Sequence, residues 1–147
     1  MENQMTVARI IATKGREVVT TQPHRTLKEV TDVLAVRGIG AVVVTDVRGT
    51  VHGILSERDI VRAIGRGGAA ALDDAVSVHM TSRVITTTED ESVQSAMEKM
   101  TNGRFRHVPV IKDGQLAGIV SIGDVVKYRL AVIEHEHSAL REYIATA

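Results

Sequence analysis

Hydrophobic positions along the chain switch between a helical period and short β-branched runs, and the switching happens twice in the same order. Val7, Ile10 and Ile11 share one helix face within Met5–Ala12, with Gly15 as a stop. Arg16–Thr20 reads as a strand closed by Pro23. Thr26 and Glu29 have the Ser/Thr-x-x-Glu form of a capping box, ahead of the amphipathic stripe Leu27, Val30, Val33 and Leu34 and a terminating Gly38. Ala41–Thr45 and Val51–Leu55 flank a turn at Asp46–Gly49, which predicts a hairpin or two neighbouring strands. Ser56 opens a helix through about Ile64, broken by Gly65-Arg66-Gly67-Gly68, and Ala69–Met80 connects to the second pass. There Val84-Ile85-Thr86-Thr87 echoes Val18-Val19-Thr20-Thr21. Ser92 caps a helix carrying Val93, Ala96, Met97 and Met100, and His107–Ile111 and Gln115–Val120 flank the turn Lys112-Asp113-Gly114. Each half is strand, helix, strand, strand, helix.

The echo is sharpest at two strand-to-helix junctions. Gly53-Ile54-Leu55-Ser56-Glu57-Arg58-Asp59 returns 65 residues later as Gly118-Ile119-Val120-Ser121-Ile122-Gly123-Asp124, so the chain is an internal repeat. The offset is 66 before the hairpin turn, because the first half carries one extra residue there. The last helix outruns its counterpart: Val126, Leu130, Ile133, His137, Leu140 and Ile144 alternate four- and three-residue steps, a packing stripe with one polar interruption at His137. His135 and His137 are two residues apart and do not share a helix face, so they predict no metal pair.

Composition narrows the classes. The chain has 147 residues with 44% apolar content but only 2% aromatic, so its core is aliphatic. Eighteen basic residues balance eighteen acidic ones, and neither the basic excess nor the aromatic platforms of a nucleic-acid binder are present. Cysteine is absent, which removes disulfides and thiol chemistry. Met1–Met5 lacks a signal-peptide pattern, and no window is apolar for 18 residues; a soluble cytoplasmic protein without membrane contact is expected. Glu89-Asp90-Glu91 reads as solvated charge at a helix start.

Ser-x-x-Asp at a helix start is first of all a cap: the Ser hydroxyl accepts from an N–H three residues on, and the carboxylate reaches back to the cap's own N–H. Duplicated in register behind a glycine, it also offers free N–H groups and a positive dipole end to an anion. Its Asp suits a ribose diol, which donates two hydrogen bonds. The paired Gly-x-x-Ser-x-x-Asp motifs, Met80-Thr81-x-x-Val84-x-Thr86 and His107-Val108-Pro109-Val110 together resemble the CBS (cystathionine-β-synthase) domain family, as a tandem pair, or Bateman module, over almost the whole chain. The resemblance implies an α+β fold of two tandem β-α-β-β-α repeats about a pseudo-twofold axis, with an extended C-terminal helix. It also implies two related clefts for adenosine ligands such as AMP, ADP, ATP, NAD or S-adenosylmethionine, and pairing into a homodimer. The apolar faces of Ile60, Val61 and Ile64 and of Val125, Val126 and Leu130, with Ile133, Leu140 and Ile144 of the terminal stripe, exceed what one small module covers and favour the same pairing.

Carried onto this sequence, the resemblance gives the second motif's cleft Ser121 and Asp124 for phosphate and ribose, an adenine wall of Ile39, Gly40 and Ala41, a far side around Lys14 and Val18, and Arg106 and His107 toward phosphates. It gives the first motif's cleft Ser56, Arg58 and Asp59, with Phe105, Arg106, His107 and the stretch from Thr81 to Val84 as its wall. Both motifs have Ser where the family more often has Thr. Val43 stands where the second half has Pro109, which is expected to leave the first half's strand less rigidly set. Gly123 and the small Gly40-Ala41 lead us to expect the tighter site at Asp124. The organisation expected is a helix over 1–15, repeats over 16–68 and 81–130, a connector over 69–80 and a helical extension over 131–147. The function expected is a non-catalytic sensor of an adenine nucleotide acting on a protein effector in trans. The alternatives are a scaffolding dimer with relic clefts and, least favoured, a nucleotide-processing enzyme. For the enzyme there is no Cys, no Ser-His-Asp arrangement and no dinucleotide glycine fingerprint.

Overall fold

The computed structural model describes residues 6–146; Met1–Met5 and Ala147, and with them the first residues of the expected N-terminal helix, lie outside the described residues. In chain order the elements are α1 (Val7–Lys14), β1 (Thr20–Thr21), α2 (Leu27–Arg37), β2 (Ala41–Thr45), β3 (Val51–Ser56) and α3 (Glu57–Gly67). A 3-10 segment (Gly68–Asp73) leads into α4 (Val76–His79), α5 (Val93–Gly103), β4 (His107–Lys112), β5 (Gln115–Ser121) and α6 (Ile122–Thr146). The fold is α+β, and each repeat contributes an antiparallel hairpin, β2–β3 or β4–β5.

Local chemistry explains the elements. The capping box on α2 forms as its spacing predicts: the Glu29 N–H donates to the Thr26 hydroxyl at 3.2 Å and the Thr26 N–H to the Glu29 carboxylate at 3.0 Å. Gly38 ends the helix in the left-handed region. The two-residue turn Asp113-Gly114, with φ of 53° and 77°, closes the second hairpin in the way a type I′ turn requires. The glycines at 65 and 67 do not break α3, which runs through both to Gly67.

The opening strands differ between repeats, and the cause is one residue. In the first repeat the Val43 N–H donates to the Val19 carbonyl at 3.2 Å, and β1 pairs in parallel with β2. At the equivalent place in the second repeat Pro109 has no N–H to give. The expected strand Val84–Thr87 shrinks to a single bridge, Thr87 to Val110. Val43 therefore fixes the first repeat's strand, contrary to the loosening expected of it.

The two cores interleave. Val7, Ile10 and Ile11 of α1 are buried with Val93, Met100, Val108 and Val120 of the second repeat. The α1 N-terminus is satisfied there by the carbonyls of Glu91 and Glu89, at 2.9 and 2.8 Å from the Val7 and Ala8 nitrogens. Conversely Ala71 and Val76, from the expected connector, are buried with Leu27, Leu34, Val42 and Leu55 of the first repeat. The connector is thus core, and α1 belongs in packing terms to the second repeat. The Glu89–Glu91 run is not simply solvated either: Glu89 pairs with Arg16, and Glu91 accepts from Thr87, Ser95 and Lys99. Of α6 only Val125 is fully buried, and Leu130, Ile133, Leu140 and Ile144 lie on an exposed run that also carries His137. No helix of the described residues is long and apolar enough to cross a membrane.

Candidate functional site

Both Ser-x-x-Asp junctions form the cap that their spacing demands. At the first, the Ser56 N–H donates to Asp59 Oδ2 at 2.9 Å and the Asp59 N–H to the Ser56 hydroxyl at 3.3 Å. At the second, the Ser121 N–H donates to Asp124 Oδ2 at 2.8 Å and the Asp124 N–H to the Ser121 hydroxyl at 3.1 Å. One carboxylate oxygen is thereby committed to the helix start and the other turns outward. What meets the outward face differs between the two.

At the first junction a strap of backbone crosses β3: the Ile54 N–H donates to the Thr81 carbonyl at 3.0 Å and the Thr81 N–H to the Ile54 carbonyl at 2.9 Å. Gly53 permits the crossing, since a Cβ there would stand 2.7 Å from the Thr81 carbonyl oxygen. Asp59 Oδ1 meets only the Thr81 hydroxyl, at 3.4 Å. The strap, the start of α3 and the turn between α5 and β4 enclose a cavity of about 510 Å³. Ser56, Arg58, Asp59, Thr81, Val84, Arg106 and His107, all expected around this cleft, line it, and so does Phe105. Phe105, Ile54, Val84 and Ile85 supply an apolar wall, and the Phe105 ring lies over Gly103, where a Cβ would be 2.3 Å from the ring. Gly40, expected in the other cleft, also lines this cavity.

At the second junction the carboxylate is already paired within the chain, through the same oxygen that caps the helix. Lys14, the last residue of α1, places its ammonium 2.5 Å from Asp124 Oδ2 and 2.7 Å from the Ile119 carbonyl. Asp124, expected to be available to a ribose, is instead ion-paired within the chain. Partial burial pushes its carboxyl up, but the Lys14 hydrogen bond, the Ser121 N–H and the Lys14 charge together hold it below the ordinary carboxylate range. Of the wall expected for this cleft, Ile39 packs on the first repeat's core, Ala41 is buried in β2, and Val18 is half-buried ahead of β1. His107 sits between the junctions, its ring 3.7 Å from where a Cβ on Gly40 would be. Burial first, and then the Lys14 charge, lower its pKa, while Asp124 and Glu57 act in the opposite sense. Its imidazole is held toward the neutral form.

Three further arginines line the first cavity: Arg83, inside the stretch from Thr81 to Val84 expected as its wall, and Arg62 and Arg104, which the motif does not place there. The signal was available in the repeat offset, which sets Arg83 against Glu17 and Arg104 against Gly38. With Arg58 and Arg106 they make five arginines against two carboxylates, Glu57 and Asp59, a formal lining charge of +3. Among the described residues no group of three or more His, Cys, Asp or Glu converges as a metal ion requires.

Comparison with known proteins adds an independent line. A protein-family model described as the CBS domain matches residues 7–66 and again 74–131. A CBS-domain containing protein from Agrobacterium tumefaciens superposes with a TM-score of 0.82 at 50% identity, covering 84% of this chain and 98% of that one. A CBS domain protein from Pyrobaculum aerophilum, complexed with AMP, does so with a TM-score of 0.72 at 31% identity over 81% of this chain and 88% of its own. A further CBS domain pair, in complex with 5′-methylthioadenosine and S-adenosyl-L-methionine, gives 0.79 at 25% identity over 88% and 98%.

Proposed function

The chain belongs to the CBS-domain family as a tandem pair of its repeats, and from that premise we propose that it is a non-catalytic regulatory module that binds an adenine nucleotide in the first motif's cleft. The observation that carries this reading is the roughly 510 Å³ cavity, where a capped carboxylate with one outward oxygen, an apolar wall and an arginine-rich lining converge. The outward Asp59 oxygen suits the ribose, the wall of Phe105, Ile54 and Ile85 suits a flat base, and the start of α3 with its arginines suits phosphate. The AMP complex of the Pyrobaculum relative supports an adenosine ligand. The +3 lining favours a phosphate-bearing ligand over a sulfonium such as S-adenosylmethionine, whose positive charge the arginines repel. Occupancy would tie the strap at Thr81, the start of α3 and the end of α5 together, and that stiffening is what a protein effector in trans would read.

AMP or ATP at a hundredfold excess over its dissociation constant is expected to stabilise the protein by about 2.7 kcal/mol, raising the melting temperature by roughly 5–10 °C. No rise with any adenine nucleotide would leave the scaffolding alternative standing. The active unit is a homodimer: Val61 and Ile64 on α3 and Val126 and Leu130 on α6 stay exposed in one chain, more apolar helix surface than a monomer usually leaves wet. Light scattering that reports a monomer at micromolar concentration would refute the pairing.

A further inference from the structure

Two non-glycine residues among the described residues have φ in the left-handed region, Arg104 at 59° and Asp113 at 53°. The hairpin turn accounts for Asp113. At Arg104 the helix end accounts for the conformation but not for the residue. It is the C-cap of α5 with φ 59° and ψ 36°, and the first repeat fills the same position, at φ 64° and ψ 39°, with Gly38. Glycine takes that conformation without the Cβ clash that any other L-residue suffers, so an arginine is retained here against the local preference. A residue held in a costly backbone state next to a cavity points to a task for its side chain.

Arg104 lines the first motif's cavity, and so does Arg83, whose counterpart in the first repeat is Glu17. The ion pairs among the described residues engage none of the five arginines of this lining. Five like charges against two carboxylates repel one another until an anion arrives, so the excess itself selects for a multiply charged ligand. A nucleoside monophosphate brings two negative charges at most and leaves the lining of +3 cationic; a di- or triphosphate brings three or four and matches it. Arg58 shares the start of α3 with Asp59, where the ribose and first phosphate would be held. Arg83 and Arg104 come from other segments, the stretch after the strap and the end of α5, and supply charge beyond that junction.

We propose that the cavity is built for a nucleoside polyphosphate, and that Arg83 and Arg104 are the residues that distinguish it from a monophosphate. This rests on reading the cavity as the adenine-nucleotide site and adds to it the length of the phosphate chain. Titration calorimetry with adenosine, AMP, ADP and ATP on the full chain tests both levels separately. Affinity is expected to rise with each phosphate, and ATP to bind at least about tenfold more tightly than AMP. Arg104→Gly is expected to cut ATP affinity by about tenfold while leaving AMP within about twofold. The same change should raise the melting temperature of the unliganded protein, because glycine suits the backbone there. Arg83→Glu, which copies the first repeat, should lower ATP affinity further without that gain. A scaffold role for Arg104 predicts the opposite sign in the melting temperature. AMP and ATP binding equally, or ATP affinity unchanged in both variants, overturns the polyphosphate assignment and leaves the nucleotide site intact. If none of the four compounds binds, the site reading itself is wrong.

Discussion

The two Ser-x-x-Asp junctions share a backbone and part company in what faces them. Each seats its serine and aspartate in the same reciprocal cap, with the four main-chain bonds between 2.8 and 3.3 Å. Yet the five arginines around the first, at 58, 62, 83, 104 and 106, stand against Gly123, Lys127, Glu17, Gly38 and Gly40 at the offset-related positions of the second. Where a backbone strap crosses Ile54 in the first, the ammonium of Lys14 takes the carbonyl of Ile119 in the second. Duplication preserved the helix-start geometry, which is cheap to keep because it is local capping chemistry. The side chains that decide whether an anion is welcome come from distant segments and were free to diverge. Similar motifs therefore face an arginine-rich cavity in one repeat and an internal lysine ion pair in the other.

The sharpest way to break this comparison is to remove the two carboxylates in turn. Asp59→Ala is expected to cost about 1.5–3 kcal/mol of nucleotide affinity, roughly ten- to a hundredfold, if two charge-assisted bonds to a ribose are lost. Asp124→Ala should change affinity by less than about threefold, since Lys14 already holds that carboxylate. Calorimetric titration with AMP decides between them, and Asp59→Asn, which keeps an acceptor for the Ser56 N–H, separates lost binding from a lost cap. A larger loss from Asp124→Ala would invert the assignment.

A second contrast lies under the motifs, at the glycines that begin them. A Cβ on Gly53 would meet the Thr81 carbonyl oxygen at 2.7 Å and the Met80 sulfur at 2.8 Å, whereas on Gly118 it would meet the Cδ1 end of Ile11 at 2.7 Å. A main-chain oxygen on a strap held by two reciprocal hydrogen bonds yields less readily than the tip of an isoleucine. Gly53→Ala should destabilise by about 1–3 kcal/mol and Gly118→Ala by well under half of that, measured by denaturant unfolding. Equal losses would mean that the strap moves as easily as a side chain.

How much of this was legible beforehand follows the same division. Periodicity and capping residues located the helices, the hairpins and both junctions, because those signals are local. The first cleft's wall was also readable, since Phe105, Arg106, His107 and the stretch from Thr81 lie where the family resemblance draws them. The expectation of a tighter site at Asp124 rests on the room left by Gly123 and Gly40-Ala41; the resemblance sets Lys14 on the far side of that cleft, but no local signal shows that its ammonium pairs with a carboxylate 110 residues away. The missing strand at Val84–Thr87 was in principle readable, since Pro109 withdraws the donor that Val43 supplies in the first repeat. Arg104, and the charge that Arg83 brings to the stretch from Thr81, needed the repeats laid over each other, with attention to the positions where they disagree.

The smallest expected effect probes how the two clefts communicate, through His107. Its ring lines the first cavity, yet burial and the charge of Lys14, which belongs to the second junction, are the leading causes of its lowered pKa. A histidine whose pKa lies below its ordinary 6.5 in the folded state binds its proton less readily than the unfolded chain does. Stability from this group is therefore full above about pH 6.5 and is lost as the pH falls through the folded value, whereas the Asp124 contribution is lost only below that carboxyl's ordinary value of 3.8. His107→Asn should flatten the decline in melting temperature between about pH 7 and pH 5, and Lys14→Met should flatten it in part by removing one of the charges that oppose protonation. A phosphate in the first cavity acts the other way, stabilising the imidazolium, so nucleotide binding near pH 6 should take up a fraction of a proton, seen as a buffer-dependent heat in calorimetry. Melting curves of wild type and both variants that fall in parallel with pH would show that Lys14 and the first cleft do not sense each other through this ring.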